Sequence, residues 1–266
     1  MPNHPYHYRG ETETLDDAAR AALPGQFVAP PDGVVHYELA GPAGGPVVVL
    51  VPGISVPYTT WDANVPALAN AGLRVLRFDL YGRGYSDRPD VVYDADLFDR
   101  QIVNLLAALG LSEPVSLVGL SMGGAVVTHF AAQHPERVRR LVLIDPLSAT
   151  PAATLPVKLV LVSGLGERLM DWFGNRILVG GQSHDFNRPE LVAAFQEKYR
   201  SAMKYRGFKN AILSTVRSIP GWRIAEAYER VGQAHYPVLL FWGRQDRTIP
   251  FETHRKVQAL IPRAEF

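Results

Sequence analysis

Short runs rich in β-branched residues alternate with longer helical patterns along most of this chain, and that rhythm limits the fold more than any other feature. Val34–Leu39 (VVHYEL) reads as a strand between Gly/Pro-rich turns, and Val47–Val51 (VVVLV) is a continuous apolar run of the kind a strand buried on both faces requires. Arg74–Asp79, Val115–Leu120, Arg140–Asp145 and Val238–Gly243 are further strands. Between them Trp61–Ala71, Asp94–Leu109, Met122–Gln133 and Glu252–Leu260 carry helical spacing, with Gly72 and Gly110 as stops. Helices between successive strands act as crossovers, so the predicted class is α/β with a mainly parallel sheet. Two stretches break the rhythm. Residues 1–30 form an N-terminal extension with a short helix, Leu15–Leu23, and residues 146–236 hold amphipathic patterns (Val157–Phe173, Pro189–Tyr205) that read as a mostly helical insertion over the sheet.

Composition narrows the function. Lys+Arg (27) and Asp+Glu (26) nearly cancel, giving a net charge of +1 and no global basic field for a nucleic-acid backbone. With no cysteine among the 266 residues, disulfides, thiolate metal sites and a cysteine nucleophile are excluded. The polar segment Met1–Arg20 lacks the apolar stretch of a secretory signal, and the longest apolar run, Pro46–Pro52, is too short to span a bilayer. A soluble, cytoplasmic protein is expected.

The strongest chemical signal is Gly119-Leu120-Ser121-Met122-Gly123-Gly124, directly after a predicted strand and before a predicted helix. G-x-S-x-G in that context is a nucleophile elbow: the chain turns sharply, and glycines two before and two after the serine leave room for the turn. Ser121 is then presented at the C-terminal edge of the sheet, with the following helix N-terminus facing a developing oxyanion. The Met122 N–H is one expected oxyanion donor. The second is the Ile54 N–H in Val51-Pro52-Gly53-Ile54-Ser55, where Gly53 allows close backbone approach. An acid is expected downstream of the nucleophile. Asp246, in Trp242-Gly243-Arg244-Gln245-Asp246, follows a late strand; Asp145 is a rival at an earlier strand end. Asp79-Leu80-Tyr81-Gly82-Arg83-Gly84-Tyr85-Ser86-Asp87 lacks the spacing of a phosphate loop and reads as a structural turn that shapes the pocket entrance.

Together GLSMGG, DLYGRGYS and LLFWGRQDRTIP resemble the α/β-hydrolase superfamily, from about residue 25 onward. The resemblance implies a doubly wound, mostly parallel sheet, with core segments 31–145 and 237–266 and a helical cap at 146–236. The serine variant looks like the esterases and acylglycerol-lipase-like members. Epoxide hydrolases and haloalkane dehalogenases of this fold carry Asp at the elbow, so Ser121 argues against both. Val51-Pro52-Gly53 departs from the His-Gly of many relatives, which alters the turn but not a backbone donor.

The resemblance also implies a histidine roughly 25–30 residues after the acid, beyond the last strand. Phe266 stands 20 residues after Asp246, and Ile261–Phe266 looks like the entry to that strand. None of the eight histidines fits: His254 lies on a helix that must pack, His235 precedes the late strand, and His129 and His134 lie along or after the helix that follows Ser121. His36 sits in an early strand, His4 and His7 in the tail, and His184 in the insertion. The expectation is a sequence cut from a longer chain. A triad-deficient relative, or service by His184, are the alternatives.

The expected reaction is hydrolysis of a small-molecule carboxylic ester through an acyl-Ser121 intermediate, oriented by Asp246 and without metal or organic cofactor. Apolar stretches Leu155–Leu165 and Trp172–Val179 favour a medium-length acyl or aromatic ester, and such a face could also dock a membrane surface or a second subunit as a homodimer. Hydrolysis of carbon–carbon or amide bonds, and a non-catalytic ligand-binding role, remain as alternatives.

Overall fold

The computed structural model describes residues 7–150, 154–186 and 188–266. Seven strands form one sheet: β1 (Gln26–Val28), β2 (Val35–Ala40), β3 (Val47–Val51), β4 (Arg74–Phe78), β5 (Val115–Leu120), β6 (Val138–Ile144) and β7 (Val238–Phe241). Their spatial order is β1-β2-β4-β3-β5-β6-β7. The pairs β1/β2 and β2/β4 are antiparallel and the rest are parallel. Glu265 makes a single parallel bridge to Leu239 of β7.

The described residues also form ten α-helices: α1 (Asp17–Ala21), α2 (Val65–Asn70), α3 (Ala95–Ala108), α4 (Met122–Gln133), α5 (Leu155–Leu161), α6 (Leu165–Gly181), α7 (Pro189–Met203), α8 (Phe208–Ser218), α9 (Ile224–Gln233) and α10 (His254–Leu260). The sheet and its flanking helices give the doubly wound, mostly parallel α/β class. β3 and β5 are buried central strands, and Val49, Val51, Val115 and Leu117 join α4 residues Val126, Val127 and Phe130 in the main core. After β3 the chain adds β4 on one side and later β5 on the other. The loops leaving β3 and β5 therefore diverge, opening a crevice at the carboxyl ends of these strands.

The stretch between β6 and β7 is helical. α5 to α8 pack on one another, and Val179, Tyr199, Met203, Phe208 and Ile212 form a separate small core there. α9 returns to the main layer and packs against α4. The single helical pattern at 157–173 is two helices, α5 and α6, because the chain turns at Gly164 with φ +80°. An N-terminal strap crosses this helical layer. The buried Glu11 carboxylate accepts the N–H groups of Gly207 and Lys209 at the start of α8, both at 2.7 Å. Lys209 Nζ reaches back to the Arg9 carbonyl at 2.6 Å, and Arg9 N–H donates to Asp171 on α6.

Candidate active site

Ser121 is the residue before α4 and has φ 54°, ψ −121°. This lies outside the regions open to ordinary L-residues. Its neighbours hold it there: the Ser121 N–H donates to the Ile144 carbonyl at 2.9 Å, and its own carbonyl accepts from Gly124 and Leu147 at 2.9 Å. The elbow glycines are required by close approach. A Cβ on Gly119 would sit 2.4 Å from the Gly123 oxygen, and a Cβ on Gly123 would sit 2.4 Å from the carbonyl oxygens of Val51 and Pro52. α4 is thus pressed onto the loop after β3. The Met122 N–H, at the first position of α4, has no acceptor inside the helix.

Gly53 lies against Ser121: a Cβ built on it would be 3.6 Å from the serine Cβ. That is ordinary contact, so Gly53 is less constrained sterically than Gly119 or Gly123. Next to it, the Ile54 N–H has no partner among the described residues, while its carbonyl accepts from Arg83 Nε at 2.7 Å. Arg83 is fully buried. It also donates to the Tyr81 carbonyl at 3.0 Å and to Thr215 Oγ1 on α8 at 2.7 Å, and lies over the Phe98 and Tyr93 rings. Burial pulls this guanidinium down to about 10, so it stays charged at neutral pH. Arg83 joins the loop after β3 to the helical layer. Its motif was visible in the sequence; its partner on α8, 132 residues away, was not.

The rest of the DLYGRGYSD segment is a knot of hydrogen bonds. Buried Asp79 accepts the N–H groups of Tyr58 (2.7 Å) and Tyr85 (2.8 Å) and holds His36 Nδ1 at 2.7 Å.

Asp246 sits on the loop after β7, half-buried, with Oδ1 accepting the N–H groups of Thr248 (2.7 Å) and Ile249 (2.8 Å). Those bonds fold the loop around the carboxylate. Asp145 caps the same loop from the end of β6, accepting the Gly243 N–H at 2.7 Å. Burial pushes the Asp145 carboxyl above its ordinary value, repulsion from Asp246 adds to this, and the Gly243 N–H opposes it. Asp145 has φ 42°.

Ser121, Ile54, Gly53, Asp145 and Asp246 line one cavity of about 680 Å³. Apolar side chains at Val56, Leu120, Phe186, Phe195 and Ile249 share it, and Arg244 and Arg247 border it. Ser121 and Asp145 are two of the three non-glycine residues with positive φ among the described residues. Such strain concentrates where a fold holds functional groups.

Among the described residues no histidine lines this cavity. His36 bridges Asp79 and the Pro24 carbonyl, His129 meets Asp96, and His134 meets Asp99. His254 binds the Phe251 carbonyl and stacks on Phe266, 4.7 Å between ring centres. His235 is exposed between α9 and β7. His4 and the side chain of His184 lie outside the described residues.

Comparison with known proteins agrees with this architecture. The family described as alpha/beta hydrolase fold matches residues 46–266. The 2-hydroxymuconate semialdehyde hydrolase of Pseudomonas sp. (strain CF600) is 31% identical over 235 residues, covering 84% of this chain and 78% of that protein. The 2-hydroxy-6-oxononadienedioate/2-hydroxy-6-oxononatrienedioate hydrolase of Paraburkholderia phymatum is 29% identical over 241 residues, 87% of this chain and 81% of its own length. Among solved structures, the enol-lactonase from Burkholderia xenovorans LB400 matches with a TM-score of 0.76 at 21% identity, over 90% of this chain and 89% of that one, a likeness of fold. A serine elbow at the β3/β5 crevice, an open N–H after β3 and a carboxylate after β7 sit in a chain matched by that family over most of its length: it belongs to the α/β-hydrolase fold family.

Proposed function

We propose that this hydrolase cleaves carboxylic esters with apolar acyl groups through an acyl-Ser121 intermediate. One observation carries the reading: Ser121 is held at φ 54°, ψ −121° on the start of α4, in contact distance of the Gly53–Ile54 turn. In the proposed reaction Ser121 Oγ attacks the carbonyl carbon, and the Ile54 and Met122 N–H groups take up the negative charge on its oxygen. Gly119 and Gly123 let the elbow close against the loop after β3. Asp246 orients the imidazole that accepts the serine proton and passes it to the leaving alcohol; water then releases the acid. That imidazole does not come from the histidines described here. Residues 146–236 are the cap in this reading, 31–145 and 237–266 the core, and 1–30 an extension. The apolar lining of the cavity supports an apolar acyl group.

A second reading is hydrolysis of a carbon–carbon bond beside a ketone. It is supported by the names of the two relatives and by Arg244 and Arg247 at the cavity, cations suited to a substrate carboxylate. The discriminating assay is a series of p-nitrophenyl esters of increasing acyl length beside a 2-hydroxy-6-oxo-dienoate, run with free imidazole to serve as base. Ester turnover that rises from acetate to medium chains is expected. Cleavage of the dienoate with no ester turnover would replace the ester reading by the second one.

A further inference from the structure

The most exposed large apolar side chains of the protein gather on α5 and α6. Leu155 is 70% exposed, Trp172 62% and Ile177 65%, and Leu165, Phe173 and Val162 are exposed beside them. On α6 the spacing of Leu165, Trp172, Phe173 and Ile177 puts all four on one side of the helix. The Trp172 and Phe173 rings meet edge to face, 6.4 Å between centres. Among the described residues nothing covers this face.

The charges on the same two helices are one-sided. Glu167 is paired with Arg217 and buried Asp171 with Arg9. Lys158, Arg168 and Arg176 are exposed and have no ion-pair partner among the described residues. Arg168 and Arg176 stand one turn before and one turn after Trp172, at i−4 and i+4. In a chain of net charge +1, three exposed cations with no ion-pair partner among the described residues thus stand on the two helices that carry this apolar face.

We infer that the α5–α6 face docks on the surface of a lipid bilayer carrying anionic headgroups. Tryptophan and phenylalanine beside arginine and lysine form the combination that settles at a headgroup boundary, apolar rings inward and cations at the phosphate level. A second copy of the chain is the weaker occupant, because a symmetric contact through this face would set the three cations against themselves. The docking is peripheral: among the described residues no helix is long and apolar enough to cross a membrane. α6 runs from this face to Gln182, which lines the Ser121 cavity, so docking would bring the cavity mouth toward the lipid. The inference does not depend on Ser121 being the nucleophile.

The test is co-sedimentation with phosphatidylcholine vesicles, with and without an equal part of phosphatidylglycerol, read together with tryptophan fluorescence. Trp61, Trp222 and Trp242 are buried, so a blue shift on binding reports Trp172. Binding is expected to the anionic vesicles, at least about tenfold tighter than to the neutral ones, and to weaken with salt. Neutralising the three cations (Lys158→Gln, Arg168→Gln, Arg176→Gln) is expected to weaken it by roughly a hundredfold. Trp172→Ser with Ile177→Ser, both far exposed and checked for native circular dichroism, is expected to abolish it. Equal binding to neutral and anionic vesicles would overturn the role of the cations, and with it the inference. So would absence of vesicle binding, whether sedimentation finds a monomer or a dimer that the Trp172→Ser, Ile177→Ser variant dissociates.

Discussion

A serine held at φ 54° costs about 1–3 kcal/mol relative to a relaxed backbone, and three backbone hydrogen bonds plus the contacts around Gly119 and Gly123 hold it there. On the loop opposite, Arg83 Nε binds the Ile54 carbonyl, the peptide group directly after the one that carries the Ile54 N–H. If the Ile54 N–H is an oxyanion donor, Arg83 is the residue that positions it. Arg83→Met is expected to lower kcat for ester turnover by about ten- to a hundredfold, less than outright loss of a donor. KM should change little, since the effect falls on the transition state. Steady-state kinetics separate this from a purely structural defect, which would lower the active fraction and leave kcat per folded enzyme unchanged. Asp145 gives a prediction with a definite sign. Burial and Asp246 raise its folded pKa above the ordinary 3.8. The stabilisation linked to a raised carboxyl is therefore present at low pH and is lost as pH rises through the folded value. Asp145→Asn keeps an acceptor for the Gly243 N–H and removes the charge. Its Tm relative to the unmodified protein is expected to increase between acid and neutral pH; a difference that shrinks with rising pH would contradict the assignment.

At the scale of elements, the strongest link between the N-terminal segment and the helical layer is Glu11, whose carboxylate takes two N–H groups at the start of α8. Glu11→Ala leaves those donors buried, at an expected cost of about 1–3 kcal/mol in denaturant unfolding, with faster amide exchange in α8. The same contacts explain what could be read from the sequence. β3, β5 and α4 have the bounds their patterns predict, because continuous burial of Val47–Val51 and the glycine spacing around Ser121 are local signals. α8 and α9 lie inside the 146–236 stretch that reads as mostly helical, without separate bounds of their own. α8 buries Lys209 and Thr215 among apolar Phe208, Ala211, Ile212 and Leu213, and the partners of those two polar residues, Arg9 and Arg83, lie far away in the chain, so their burial could not be read locally. β1 spans only Gln26–Val28, too short for alternation to show. The meeting of Asp145 with the Asp246 loop was equally hidden, since β6 and β7 are neighbours in the sheet but separated by the whole helical stretch.

At the scale of the molecule, the order β4-β3-β5 matters most: it parts the loops after β3 and β5 and leaves a cavity at their carboxyl ends. The helical layer closes that cavity with Phe186 and Phe195, and the strap through Glu11 and the bond from Arg83 to Thr215 tie the layer to the rest of the chain. Ser121 and Asp246 come to one cavity from the ends of β5 and β7, which have β6 between them in the sheet. The central claim is that this arrangement makes Ser121 a nucleophile. Incubating the folded protein with a fluorophosphonate, with and without free imidazole, and mapping the adduct by peptide mass spectrometry tests it most directly. One adduct is expected, on Ser121, formed faster with imidazole and absent from Ser121→Ala; folded protein that carries no adduct on Ser121 under either condition would contradict the assignment.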